Sequence, residues 1–190
     1  MSPTHTALVL ADRGQPLARK TIHTPTPTSG QVLVHVLSVF ISPSTKALIA
    51  GELPFPMTFP STPGPGCIGR VEAVGSDATT VKPGQLVYVD PTVRARDDSN
   101  EAIIQGFIQG MTEKSAWLSK DAWRDGTWTE KAIVPLENTF PLDEKYLVGE
   151  RHYSFARLSW ILRSCIPLGG YQAAQLKAGE TVVVAFATGS

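Results

Sequence analysis

The chain has 190 residues, 42% of them hydrophobic, and its 17 Lys+Arg are balanced by 17 Asp+Glu. That length suits one ordinary domain with a real core, and the neutral charge leaves no electrostatic footprint for nucleic acid or an anionic membrane. No apolar run is long enough to span a bilayer, Met1–His5 lacks a signal-peptide pattern, and two cysteines, Cys67 and Cys165, make no disulfide framework; a cytoplasmic protein with reduced, buried thiols is expected.

Residues 6–11, TALVLA, read as a first strand, followed by a connection punctuated by Gly and Pro. The prolines and glycine of TPTPTSG (24–30) mark a loop. QVLVHVLSV (31–39) alternates with period 2 and predicts a strand with both faces partly buried; His35 within it reads as a strand-surface histidine. SPSTKALIAG (42–51) predicts a helix of one or two turns, with Ser42 or Ser44 as cap and Gly51 as stop. A proline-dense loop leads to CIGRVEAVG (67–75), a strand ending in a glycine turn. Pro83-Gly84 then feeds a strand from Leu86 to Asp90. Residues 6–90 therefore predict short, mostly antiparallel strands in a partly closed barrel.

From 91 to 130 the chain is more polar, and helical pieces are expected around 100–110 and 113–124. Trp117, Trp123 and Trp128 fall close together, as a cover for the barrel or as a lid or interface. DGTWTEKAIVP (125–135) reads as a turn entering a strand. Asp97-Asp98 and Asp143-Glu144 read as solvated carboxylates. Phe155, Leu158, Ile161, Leu162 and Cys165 form one helical stripe, after which the paired glycines Gly169-Gly170 are expected to break and restart the helix. A terminal strand is expected over 181–187.

Three stretches in this order, PGPGCIGRVEAVG with VKPGQLVYV, then DGTWTEKAIVP, then CIPLGGYQAAQLKAGETVVVAFATGS, resemble the medium-chain dehydrogenase/reductase superfamily, the alcohol dehydrogenase and quinone oxidoreductase group. The long 91–130 segment is similar to that of fungal members. The resemblance implies a fold that is mainly β with α: a GroES-like partly closed barrel over 1–150 as the substrate domain, then a crossing helix and the first strand of an incomplete Rossmann fold over 151–190. It places Gly169, Gly170, Thr188 and Gly189 on the cofactor side. A phosphate-cradling turn needs successive glycines at a helix N-terminus, and only Gly189 represents it within 181–190. NADPH is therefore the expected cofactor of the full-length family, with little or none bound by these 190 residues alone.

The resemblance also sets Ser42, Pro65 and Cys165 where zinc-dependent relatives carry Cys, His and Cys, with Gly66 replacing a neighbouring acidic residue. A hydroxyl and a proline are no substitute for soft donors, so no metal site is expected. Without a Lewis acid, the oxyanion that develops during hydride transfer to a carbonyl or enone has to be met by hydroxyls and N–H groups. Ser42, Thr45 and Tyr171 are the candidates, Tyr171 either bonding a substrate carbonyl or packing against the crossing helix. The expected activity is a zinc-independent, NADPH-dependent oxidoreductase acting on a small molecule. Alternatives are a cofactor-free barrel serving as a binding module, isomerase or cyclase, and a non-catalytic fragment. Val182, Val183, Val184 and Phe186 on an unpaired terminal strand would favour a homodimer through 181–187.

Overall fold

The computed structural model describes residues 3–120 and 123–183. The period-2 stretches form strands: β1 (Thr4–Val9), β3 (Gln31–Ser38), β4 (Cys67–Val74), β5 (Leu86–Val89) and β8 (Lys131–Pro135). Two more strands carry little sequence signal, β2 (Ala18–His23) and β9 (Thr139–Pro141). Strands β8-β3-β4-β5-β9 make one antiparallel five-stranded sheet, and β1-β2 a separate hairpin. β1 joins the β8 side through Leu8 N–H to Trp128 O and Glu130 N–H to Thr6 O, each at 2.9 Å. The sheet's two ends, β8 and β9, do not pair with each other, so it is open.

Alternation sorts the side chains of this sheet. Val32, Val34, Val71, Val87, Val89 and Val134 fill one face. Ile68, Leu86 and Tyr88 fill the other, against Leu158. Cys67 is wholly enclosed in the first cluster, and burial pushes its thiol pKa up to about 12, which leaves it a small hydrophobe.

Helix α1 (Thr45–Ala50) starts at Ser44 and ends at Gly51. At φ 81°, Gly51 returns its N–H to the Ala47 and Leu48 carbonyls, a left-handed stop that favours glycine. The helix expected around 100–110 is instead a hairpin of β6 (Thr92–Arg94) with β7 (Ala102–Ile104). Val93 and Ile103 pair across it and are both buried, so alternate burial outweighs the local helical pattern. Helix α2 (Glu113–Leu118) is shorter than the expected 113–124. A reciprocal capping box between Thr112 and Ser115 opens it, and Ser119 closes it. Trp128 is buried and meets Phe107 edge-on at 6.1 Å, whereas Trp117 is 70% exposed.

A π-helical turn, Lys145–Glu150, follows β9. Glu144 just before it is not a free surface carboxylate: Arg70 donates to both of its oxygens, at 2.7 and 2.9 Å, and holds the carboxyl below its ordinary range. The helical stripe is split into α3 (Phe155–Leu158) and α4 (Ile161–Ala173). The break falls at Ser159-Trp160, where the Ser159 hydroxyl donates back to the Ala156 carbonyl at 2.7 Å. It does not fall at Gly169-Gly170, through which α4 runs unbroken; two glycines cost a helix only about 1 kcal/mol each. Residues 181–183 join no strand, with Val183 89% exposed, and residues 184–190 lie outside the described residues. Among the described residues no helix is long and apolar enough to cross a membrane.

His5 on β1 is buried, its Nδ1 lying 2.9 Å from the Thr24 hydroxyl. Desolvation lowers its pKa below the ordinary 6.5, with the Glu130 carboxylate opposing. A depressed histidine pKa means the unfolded chain takes up the proton first. Stability is therefore full above 6.5 and declines as pH falls from there through the lowered folded value. Urea midpoints are expected to drop between pH 7.5 and 5.5, and His5→Asn should flatten that slope; an equal slope in the variant would disprove the assignment.

Candidate functional site

A cleft of about 470 Å³ opens where four segments converge. The loop leaving β3 contributes Phe40 and Ser42, and the turn before β4 contributes Pro65. The corner after β5 contributes Asp90, Pro91 and Thr92. Helix α4 closes the side with Leu162, Arg163, Cys165 and Ile166, and Ile104 with Phe107 forms the remaining wall. Gly66 lets the turn lie hard on the end of β5: its φ is +59°, and a Cβ there would sit 2.5 Å from the Val89 carbonyl oxygen. That close approach is why Pro65 reaches the cleft beside Asp90.

Ser42 is half-buried, and its hydroxyl lies 2.8 Å from the Ser44 hydroxyl, either being able to donate. The Ser44 N–H also donates to the Ser42 Oγ at 3.3 Å. If the Ser44 hydroxyl donates as well, the Ser42 proton is left to point elsewhere. Asp90 is held by its neighbours: Oδ1 accepts from the Thr92 N–H at 2.7 Å and Oδ2 from the Tyr88 hydroxyl at 3.5 Å. Burial, then the Asp90 charge, raise the Tyr88 pKa, so its phenol stays protonated.

The cleft thus brings together Ser42, Pro65 and Cys165, three positions far apart in sequence. Thr45 is buried at the first position of α1, its N–H donating to the Ser42 carbonyl at 3.0 Å, and does not line the cleft. Tyr171 is 46% exposed on α4, beyond the residues that line the cleft. Gly169 and Gly170 sit mid-helix, where backbone amides are committed to the helix ladder, and a Cβ on either would meet open space. Thr188 and Gly189 lie outside the described residues. Cys165 is exposed, contrary to the buried thiol expected, because α4 buries none of its residues. Ser44, Asp90, Phe107 and Arg163 went unnamed as site residues in the sequence; only the S-P-S spacing around Ser42 hinted at the first.

The donor set suits zinc poorly. Cys165 supplies one thiol, Ser42 a neutral hydroxyl and Pro65 nothing, while the Asp90 oxygens already accept hydrogen bonds. Among the described residues no group of three His, Cys, Asp or Glu could hold a metal ion.

Known proteins resemble this chain in sequence and in fold. Starvation-sensing protein RspB of Escherichia coli K12 is 29% identical over 136 residues, 72% of this chain and 38% of that protein. The chain thus spans about two-fifths of that relative's length. At the level of fold, CAD from Helicobacter pylori, solved with NADP(H), superposes with a TM-score of 0.72 at 12% identity, covering 94% of this chain and 51% of its own. A cobalt- and zinc-bound alcohol dehydrogenase from Pyrobaculum aerophilum gives 0.57 at 23% identity, covering 74% and 42%. The family model for the alcohol dehydrogenase GroES-like domain matches residues 28–144, well over half of the sequence. The chain belongs to the alcohol dehydrogenase GroES-like domain family of medium-chain dehydrogenases/reductases.

Proposed function

We propose that this chain is the substrate-holding part, residues 1–150 with the crossing helix of 151–190, of a zinc-independent oxidoreductase that reduces a carbonyl or enone with NADPH. One observation carries the reading: Ser42, Pro65 and Cys165 meet in one apolar-walled cleft, and two of the three cannot ligate zinc. The Helicobacter pylori CAD structure, solved with NADP(H), supports a nicotinamide partner. Gly169 and Gly170 lie within α4 on the segment leading toward the cofactor side.

A nicotinamide, when bound, supplies the hydride. The residues of this chain hold and polarise the acceptor. A substrate carbonyl oxygen beside Ser42 accepts the Ser42 O–H, and the Ser44 hydrogen bonds hold that hydroxyl in place. As negative charge grows on the oxygen this bond strengthens, which is what lowers a barrier. Phe40, Phe107 and Ile166 keep water from the reacting carbon. Thr45 anchors the loop from behind, and Tyr171, further along α4, stands outside the cleft lining.

Purified protein is expected to carry far less than one zinc per chain by elemental analysis, before and after chelator. Butyrophenone, a neutral ketone, should bind by NMR titration, and Ser42→Ala should weaken it about tenfold, the loss of one hydrogen bond to a polarised oxygen. A tightly held stoichiometric zinc, or ketone binding indifferent to Ser42, would sink this reading.

A further inference from the structure

We infer that the cleft takes an organic acid, its carboxylate held by Arg163; the inference rests on the proposed cleft and extends it to substrate class. Arg163 is half-buried on α4 and lines the cleft. Its guanidinium has no ion pair or hydrogen bond among the described residues. The nearest arginines on the same segment are differently employed: Arg157 stacks on Tyr153 at 4.8 Å and Arg151 on Tyr146 at 5.8 Å. A cation withdrawn from water without a partner is unfavourable, and a planar five-donor fork is suited to a carboxylate.

The other charge in the cleft does not take that role. Asp90 forms no ion pair with Arg163, and its oxygens are turned to Thr92 and Tyr88. Arg163 therefore remains available to a ligand. The rest of the wall, Phe40, Ile104, Phe107, Leu162 and Ile166, is apolar and suits a hydrocarbon or aryl body. A cation at one side, a hydroxyl donor at Ser42 and apolar walls between describe a keto acid or unsaturated acid better than a neutral alcohol. An inorganic or nucleotide phosphate would satisfy the guanidinium but leave those walls uncovered.

The test uses the 190-residue chain and a matched pair, 4-oxo-4-phenylbutanoate and its neutral counterpart butyrophenone, titrated by NMR or calorimetry. The acid is expected to bind about tenfold more tightly or better, with an affinity that falls as salt rises. Arg163→Gln should remove the preference, bringing the affinity for the acid down to that for butyrophenone, with Arg163→Lys restoring part of it. Ser42→Ala should weaken both ligands. Equal binding of acid and ketone in the parent chain overturns the inference while Ser42-dependent ketone binding leaves the proposed function standing. Acid preference retained in Arg163→Gln, no binding of the acid at all, or displacement by inorganic phosphate at the acid's own concentration also overturns it.

Discussion

Replacing Gly106 with alanine is expected to cost about 2–6 kcal/mol, from left-handed strain of about 1–3 and overpacking of about 1–3. Gly106 has a φ of +69°, and a Cβ there would run into the Gly126 Cα and lie 2.7 Å from the Gly126 nitrogen and 3.1 Å from the Gly64 oxygen. All three obstacles are backbone, so no side chain can swing away. They are also tied down: the Gly126 N–H donates to Thr62 at 2.7 Å and the Thr127 N–H to Gly64 at 2.9 Å. Three chain segments cross at this point immediately before Phe107, so the change also shifts a wall of the cleft. Melting should fall by roughly 5–20 °C for a chain of this length. Gly84 provides the control, with φ +87° but nothing within 4 Å of its Cβ. Gly84→Ala should cost only the strain, about 1–3 kcal/mol, without the overpacking. Equal losses at the two sites would show that the crossing is not tightly packed.

Leu158→Ala should cost about 2–5 kcal/mol, the range for emptying a buried leucine site, and the loss should be local. Leu158 is the one buried residue of α3, and α4 has none. It packs against Ile68, Leu86 and Tyr88 on the sheet, while Phe155, Ile161 and Leu162 are only partly covered. The helical arm is thus fastened to the sheet mainly at one point. Hydrogen exchange in 155–173 should rise sharply while β3, β4 and β5 keep their protection. Binding that depends on Arg163 should be lost with it, because α4 carries that side of the cleft. Protection of α4 unchanged in the variant would mean the arm is held by something other than this contact.

Local chemistry was enough to identify much of the sheet. Val32, Val34 and Val36 alternate with Leu33, His35 and Leu37, and that period survives in β3 because a one-residue slip would turn the valines out of the core. Gly51 announced the end of α1 because a left-handed stop favours a residue without Cβ. The family resemblance also brought out Ser42. Other elements exist only because of their partners. β2, ARKTIH, is almost wholly exposed and is a strand because β1 pairs with it along its length. The stretch around 100–110 reads as helix, but its β7 is a strand because Ile103 is buried against Val93 of β6. The cleft was the least legible part. Phe40, Asp90, Phe107 and Arg163 are spread over more than a hundred residues and share no motif. Strand pairing and the docking of α3 through Leu158 bring them within reach of one ligand. Periodicity reports which face of an element is buried, whereas which faces meet is set by packing between distant segments, and that only the tertiary structure decided.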